Sequence, residues 1–155
     1  MRKISSLLLI TLLAIAGVGC DSDDNEESDA AKFVGHWVLT GVSDDDGDAL
    51  ATFAENFDSI SLTNVDDGSF TLTVDPKVGD NIVLPGTYSV NESADRFTLV
   101  ATTPLGPASL NFTYAFDGDN TIVLTSDTTT ALLLNTLFDG VDLVGQAVIT
   151  ISRNT

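Results

Sequence analysis

From Phe33 to the C-terminus, apolar and polar residues alternate in short runs, each closed by turn residues. That period of two constrains the fold more than any other feature, because it places successive side chains on opposite faces of a strand. Ser59-Ile60-Ser61-Leu62-Thr63 and Ser69-Phe70-Thr71-Leu72-Thr73-Val74 alternate strictly. Between them lies Asp67-Gly68, a dipeptide that tight hairpins favour. Asp117-Gly118-Asp119-Asn120 reads as a second such turn. The pattern predicts eight strands, over residues 35–42, 59–63, 69–74, 86–90, 97–101, 110–116, 121–125 and 147–152.

The two faces differ in chemistry. One carries Trp37, Leu39, Ile60, Leu62, Phe70, Leu72, Val74, Tyr88, Val90, Phe97, Leu99, Leu110, Phe112, Tyr114, Phe116, Ile122, Leu124, Ile149 and Ile151. The other is rich in Thr and Ser, including Thr71, Thr73, Thr98, Thr113, Thr125 and Thr150, residues that keep β propensity while staying polar. One face is therefore buried and one wet. Eight strands with an apolar face need a cover, and the chain has too little helix to supply it. Closing the sheet on itself removes both the cover and the edge problem. The expected fold is all-β, an eight-stranded antiparallel up-and-down barrel, with a two-sheet β-sandwich as the alternative.

Two segments depart from the strand period. Leu50, Phe53, Ala54 and Phe57 recur at helical spacing behind Asp48, which is placed to cap them. Leu134, Leu137, Phe138 and Val141 do the same within Thr129–Leu143, with Gly140 near the end. Two short helices are expected, plugging or flanking the barrel; a mobile lid over a cavity is the functional alternative.

Charge excludes whole classes of function. Six Lys and Arg face 23 Asp and Glu, a formal charge of -17. Such a surface repels phosphate backbones, so no nucleic-acid partner is expected. The first 20 residues contain no acid: Met1-Arg2-Lys3, an apolar run from Ile4 to Ala16, then Gly17-Val18-Gly19-Cys20. A basic start, a short apolar run and small residues form a secretory signal. The run falls short of the roughly 20 residues a spanning helix needs.

Cys20, the only cysteine, stands at the cleavage point. The segment resembles the lipobox of bacterial lipoproteins, which implies that Cys20 becomes the lipidated first residue of the mature chain. Loss of residues 1–19 removes Arg2 and Lys3, leaving 4 basic and 23 acidic groups and a formal charge of -19. Asp21 to Asp29 then holds six acids in nine residues, a solvated, self-repelling tether. This tract is similar to the export signal of lipoproteins in Bacteroidota-type bacteria. It implies an outer-membrane lipoprotein exposed at the cell surface, with a periplasm-facing location as the alternative. The organisation expected is a signal over 1–19, a tether over 20–32 and a barrel over 33–155.

Gly35-His36-Trp37 opens the first strand and Arg153 follows the last. Together with strand count and a helix before the last strand, this resembles the lipocalin superfamily. There, a Gly-x-Trp tryptophan sits at the barrel base and a basic residue after the final strand stacks on it. The Gly35–Thr40 opening and Gly86-Thr87-Tyr88 also look like the lipocalin-like lipoproteins of Bacteroidota-type bacteria. Members of that group mostly lack an assigned function, so the resemblance implies a fold more than an activity.

Catalytic chemistry finds few residues. His36 is the only histidine, and the period of two points it opposite to Trp37, outward. There is no Gly-x-Ser-x-Gly elbow. Asp44-Asp45-Asp46-Gly47-Asp48 offers oxygen ligands of the kind calcium takes, but not at EF-hand spacing. No enzyme activity, metal or cofactor is expected, and a monomer is. Two functions remain. In the first, Phe70, Tyr88, Phe97, Phe112, Tyr114 and Phe116 line a cavity for one small hydrophobic or glycan-derived ligand. In the second, those rings fill a solid barrel that displays its loops to a protein partner.

Overall fold

A computed structural model describes residues 27–154 of the chain. The expected signal, Cys20 and most of the acidic tether lie outside the described residues. Nine strands follow in order: β1 (Gly35–Asp44), β2 (Gly47–Asp48), β3 (Phe57–Asn64), β4 (Ser69–Pro76), β5 (Ile82–Asn91), β6 (Arg96–Thr103), β7 (Gly106–Phe116), β8 (Thr121–Ser126) and β9 (Val148–Arg153). Three short α-helices accompany them: α1 (Asp29–Phe33), α2 (Leu50–Asn56) and α3 (Thr128–Leu137). Apart from the two-residue β2, each strand pairs antiparallel with its neighbour in sequence, and β1 also pairs with β9. That last pairing closes an eight-stranded barrel and decides against the sandwich.

Each of the eight predicted runs is a barrel strand. All nineteen residues assigned to the inner face belong to the hydrophobic core or pack against it. The Thr residues named for the outer face are half-buried or exposed.

Closure is incomplete at one end, and the helices sit where the ladders stop. β1 pairs with β3 only over Gly35 to Val38, and beyond that point β2 and α2 stand between the two strands. β7 pairs with β8 only from Phe112 onward. α3 covers the vacated edge, and the Asn111 amide donates to Thr130 Oγ1 at 3.0 Å. Covered edges do not recruit foreign strands.

Helix boundaries correct the expectations in two places. Asp48 does not cap α2, whose N-cap is Ala49; instead Asp48 Oδ1 accepts from the Leu50 amide at 2.9 Å. α3 stops at Leu137, short of Leu143, and is capped by Asp127, which accepts from the Thr130 amide at 2.7 Å. The side chain of Asn135 then bonds both the amide and the carbonyl of Leu143, at 2.8 and 2.9 Å. This staple folds the chain back so that Phe138, Val141 and Leu143 remain buried without a helix.

α1 begins in the segment expected to be tether, 20–32, and ends at Phe33, the first residue expected in the barrel. Ser28 caps it by accepting from the Ala31 amide at 3.2 Å, and its Phe33 is fully buried. Asp29, counted among the tether acids, is its first residue.

Candidate functional site

The base of the barrel is the end that holds α1 and the strand turns 65–68, 92–95 and 117–120. α1 drives Phe33 into it as a plug. The ring stacks on Phe97 at a centroid distance of 4.3 Å and meets Tyr114 and Phe116 edge-on at 5.1 and 5.5 Å. Aromatic pairs in this geometry contribute beyond their buried area. The Phe33 carbonyl accepts from Trp37 Nε1 at 2.8 Å and from Asn64 Nδ2 at 3.1 Å. Tyr114 donates its hydroxyl to Asp29 at 2.8 Å. Burial pushes that hydroxyl far above the usual phenol range, and the Asp29 carboxylate adds to the shift.

Gly35, Trp37 and Arg153 come together beside this plug. Trp37 lies opposite Leu62 on one side and Arg153 on the other. The Arg153 guanidinium lies over the indole, 4.6 Å from its centroid, and donates to the carbonyls of Lys32 and Val34 at 2.9 and 3.3 Å. Gly35 has φ +137°, and a Cβ there would stand 3.1 Å from the guanidinium. Glycine is what this conformation and close approach allow. A second glycine is dictated by packing alone, since a Cβ on Gly86 would collide with the Phe70 ring and the Val100 carbonyl.

The opposite end, called the rim here, is closed by α2, α3 and residues 138–147. Phe53 from α2, Leu134 from α3 and Phe138 turn inward over an apolar cavity of about 70 Å³. Of the six aromatics proposed as cavity lining, only Phe112 reaches it. Phe70 is buried against Gly86, and Phe97, Tyr114 and Phe116 belong to the Phe33 cluster. Tyr88 is half-buried, donates to the Val65 carbonyl at 2.8 Å and contacts Phe97. The physical cause is Phe33 at the end of α1, whose ring fills the space that those rings would otherwise have lined.

The acidic Asp44–Asp48 stretch serves the fold. Asp44 accepts from the amides of Asp46 and Gly47 through Oδ1, at 2.9 and 3.1 Å, and from the Val144 amide through Oδ2 at 2.9 Å. The Val144 amide and these turn amides hold the Asp44 carboxyl below its ordinary range. Among the described residues, no cluster of three or more metal-ligating side chains could hold an ion. A depressed pKa contributes stability that is present above the unfolded value near 4 and disappears as pH falls through the folded value. Asp44→Asn keeps one acceptor but turns an amide group toward the Val144 or turn amides. We expect Asp44→Asn to unfold at lower urea than the parent at pH 7, with the gap closing below about pH 4. Comparing the two proteins at each pH cancels the general repulsion among the acids. A gap unchanged from pH 7 to pH 3 would refute the role given to this carboxylate.

His36 is on the outer side of β1, with Nδ1 2.9 Å from Thr63 Oγ1, and no catalytic partner approaches it among the described residues. α1 is not among the helices expected from the sequence, although Ser28-Asp29 with Lys32 in the last turn carries a short helix start and stop. No helix among the described residues is long and apolar enough to cross a membrane. No known family model matches this chain, and no curated protein matches it.

Proposed function

We propose that this protein is a lipid-anchored surface barrel whose interior is its own core and whose loops are its working surface. One observation carries the reading: the aromatic plug at the base and the α2–α3 cover leave an apolar cavity of about 70 Å³. An apolar cavity of about 150 Å³ is the size known to take up benzene. The lipid acceptor is Cys20, and the membrane is the outer membrane, with the barrel outside the cell. The signal-like start, the lone cysteine and the acidic tract after it support that placement. Six residues lie between Cys20 and Glu27, so the chain between them reaches at most about 25 Å.

The competing function is a carrier of one small apolar ligand, which requires α2 and α3 to move aside. The test is thermal unfolding with and without a saturating series of fatty acids of increasing length. A ligand that binds the folded state raises Tm in proportion to the logarithm of its concentration. We expect no rise with any chain length. A concentration-dependent rise, lost when Phe112 is replaced by a larger Trp, would establish the carrier instead.

A further inference from the structure

The exposed large apolar residues are unevenly placed. Val78, Ile82, Val83, Leu105, Leu132 and Val144 all belong to the rim half, whereas Val65 stands at the base and Val100 in mid-strand. The two most exposed are Leu105 at 95% and Val78 at 90%. They stand on the β6–β7 and β4–β5 turns, which spring from the adjacent strands β5 and β6. Isolated apolar residues on a surface are ordinary, but a concentration at one end is not. Neither turn shields its apolar residue, so their exposure has no role in the barrel's own packing.

The same end is strongly acidic. Ten carboxylates surround it: four in Asp44–Asp48, then Glu55 and Asp58, Asp75 and Asp80, Asp139 and Asp142. Among the described residues, Lys77 is the one cation there. Charge therefore selects among the surfaces that could cover the apolar tips. A second copy would bring the same acids against these and be repelled. An anionic lipid surface is repelled likewise, and the anchor leaves from the other end.

We infer that the rim is a docking surface for a protein partner bearing a cationic amphipathic segment, its apolar side chains meeting Leu105 and Val78 and its Lys or Arg meeting the rim carboxylates. This partner chemistry rests on the display reading above. Apolar contact gives such an interface affinity, and opposite charge gives it selectivity.

The probe is a fluorescein-labelled 18-residue amphipathic helix of Leu and Lys, titrated by anisotropy into the full lipidated protein in nonionic detergent. A Ser and Lys peptide of equal charge is the comparison. The Leu and Lys peptide is expected to bind more tightly than its comparison. The double variant Val78→Ser, Leu105→Ser should lose at least tenfold in affinity, whereas Val65→Ser at the base should lose none. Both sites are exposed, so these variants keep the core. Equal binding of the two peptides, or equal binding by parent and double variant, would overturn the inference. So would sedimentation showing a dimer that the double variant dissolves. Failure here leaves the fatty-acid result untouched, whereas a bound fatty acid sinks the display reading whatever the peptides do.

Discussion

Trp37→Ala is expected to destabilise the barrel by about 3–5 kcal/mol, a cost typical of emptying a buried tryptophan site. Domains of this kind have about 5–15 kcal/mol in total, so much of the stability would go. Trp37 is 1% exposed and joins the three elements that close the base. Its backbone pairs with Leu62 on one side and Arg153 on the other, and the Arg153 guanidinium lies over its ring. Its Nε1 ties α1 to β1 through the Phe33 carbonyl. Trp37→Phe keeps most of the apolar area and forfeits the hydrogen bond, while Asn64 still donates to that carbonyl. It should cost clearly less than the alanine. Urea unfolding of the three proteins at neutral pH measures the series. A loss under about 1 kcal/mol for Trp37→Ala would mean that the base is not the keystone described here.

Cys20→Ala is expected to abolish acyl labelling and release the protein from the membrane fraction, an all-or-none change. A single acyl chain binds membranes only marginally, and stable anchoring takes more than one. No helix among the described residues is long and apolar enough to span. Cys20 lies outside the described residues 27–154, and the urea midpoint is expected to stay where it is. Palmitate labelling, membrane fractionation and unfolding are read on the same pair of proteins. Equal labelling of parent and variant would end the lipoprotein assignment.

The barrel was legible because period-two patterning is a local signal repeated many times. Ile60 and Leu62, or Phe70, Leu72 and Val74, announce their face whatever lies across the sheet. Strand ends were less legible. Residues 82–85 belong to β5, yet Pro85 breaks the pattern; it stands just before the β5–β6 ladder begins at Gly86, where a strand tolerates a missing donor. α1 escaped because five residues are too few to show a helical period, and its one acid, Asp29, reads as the last of the acidic run before it. That one omission misplaced the cavity. Without Phe33, the lower aromatics look like a pocket lining; with it, they are a stacked core. The early end of α3 was equally hidden, since the Asn135–Leu143 staple is a side-chain device that keeps Phe138, Val141 and Leu143 buried without a helix. Asp44 is a third case. Its three amide partners include Val144, 100 residues away, so the sequence displays only an acidic run where the fold has a clasp.

Native mass spectrometry of the protein purified from its own membrane in mild detergent tests the filled barrel most directly. The mass predicted is that of the lipidated chain beginning at Cys20, with nothing released on subsequent denaturation beyond detergent. A stoichiometric organic molecule that leaves only when the barrel unfolds would contradict the account.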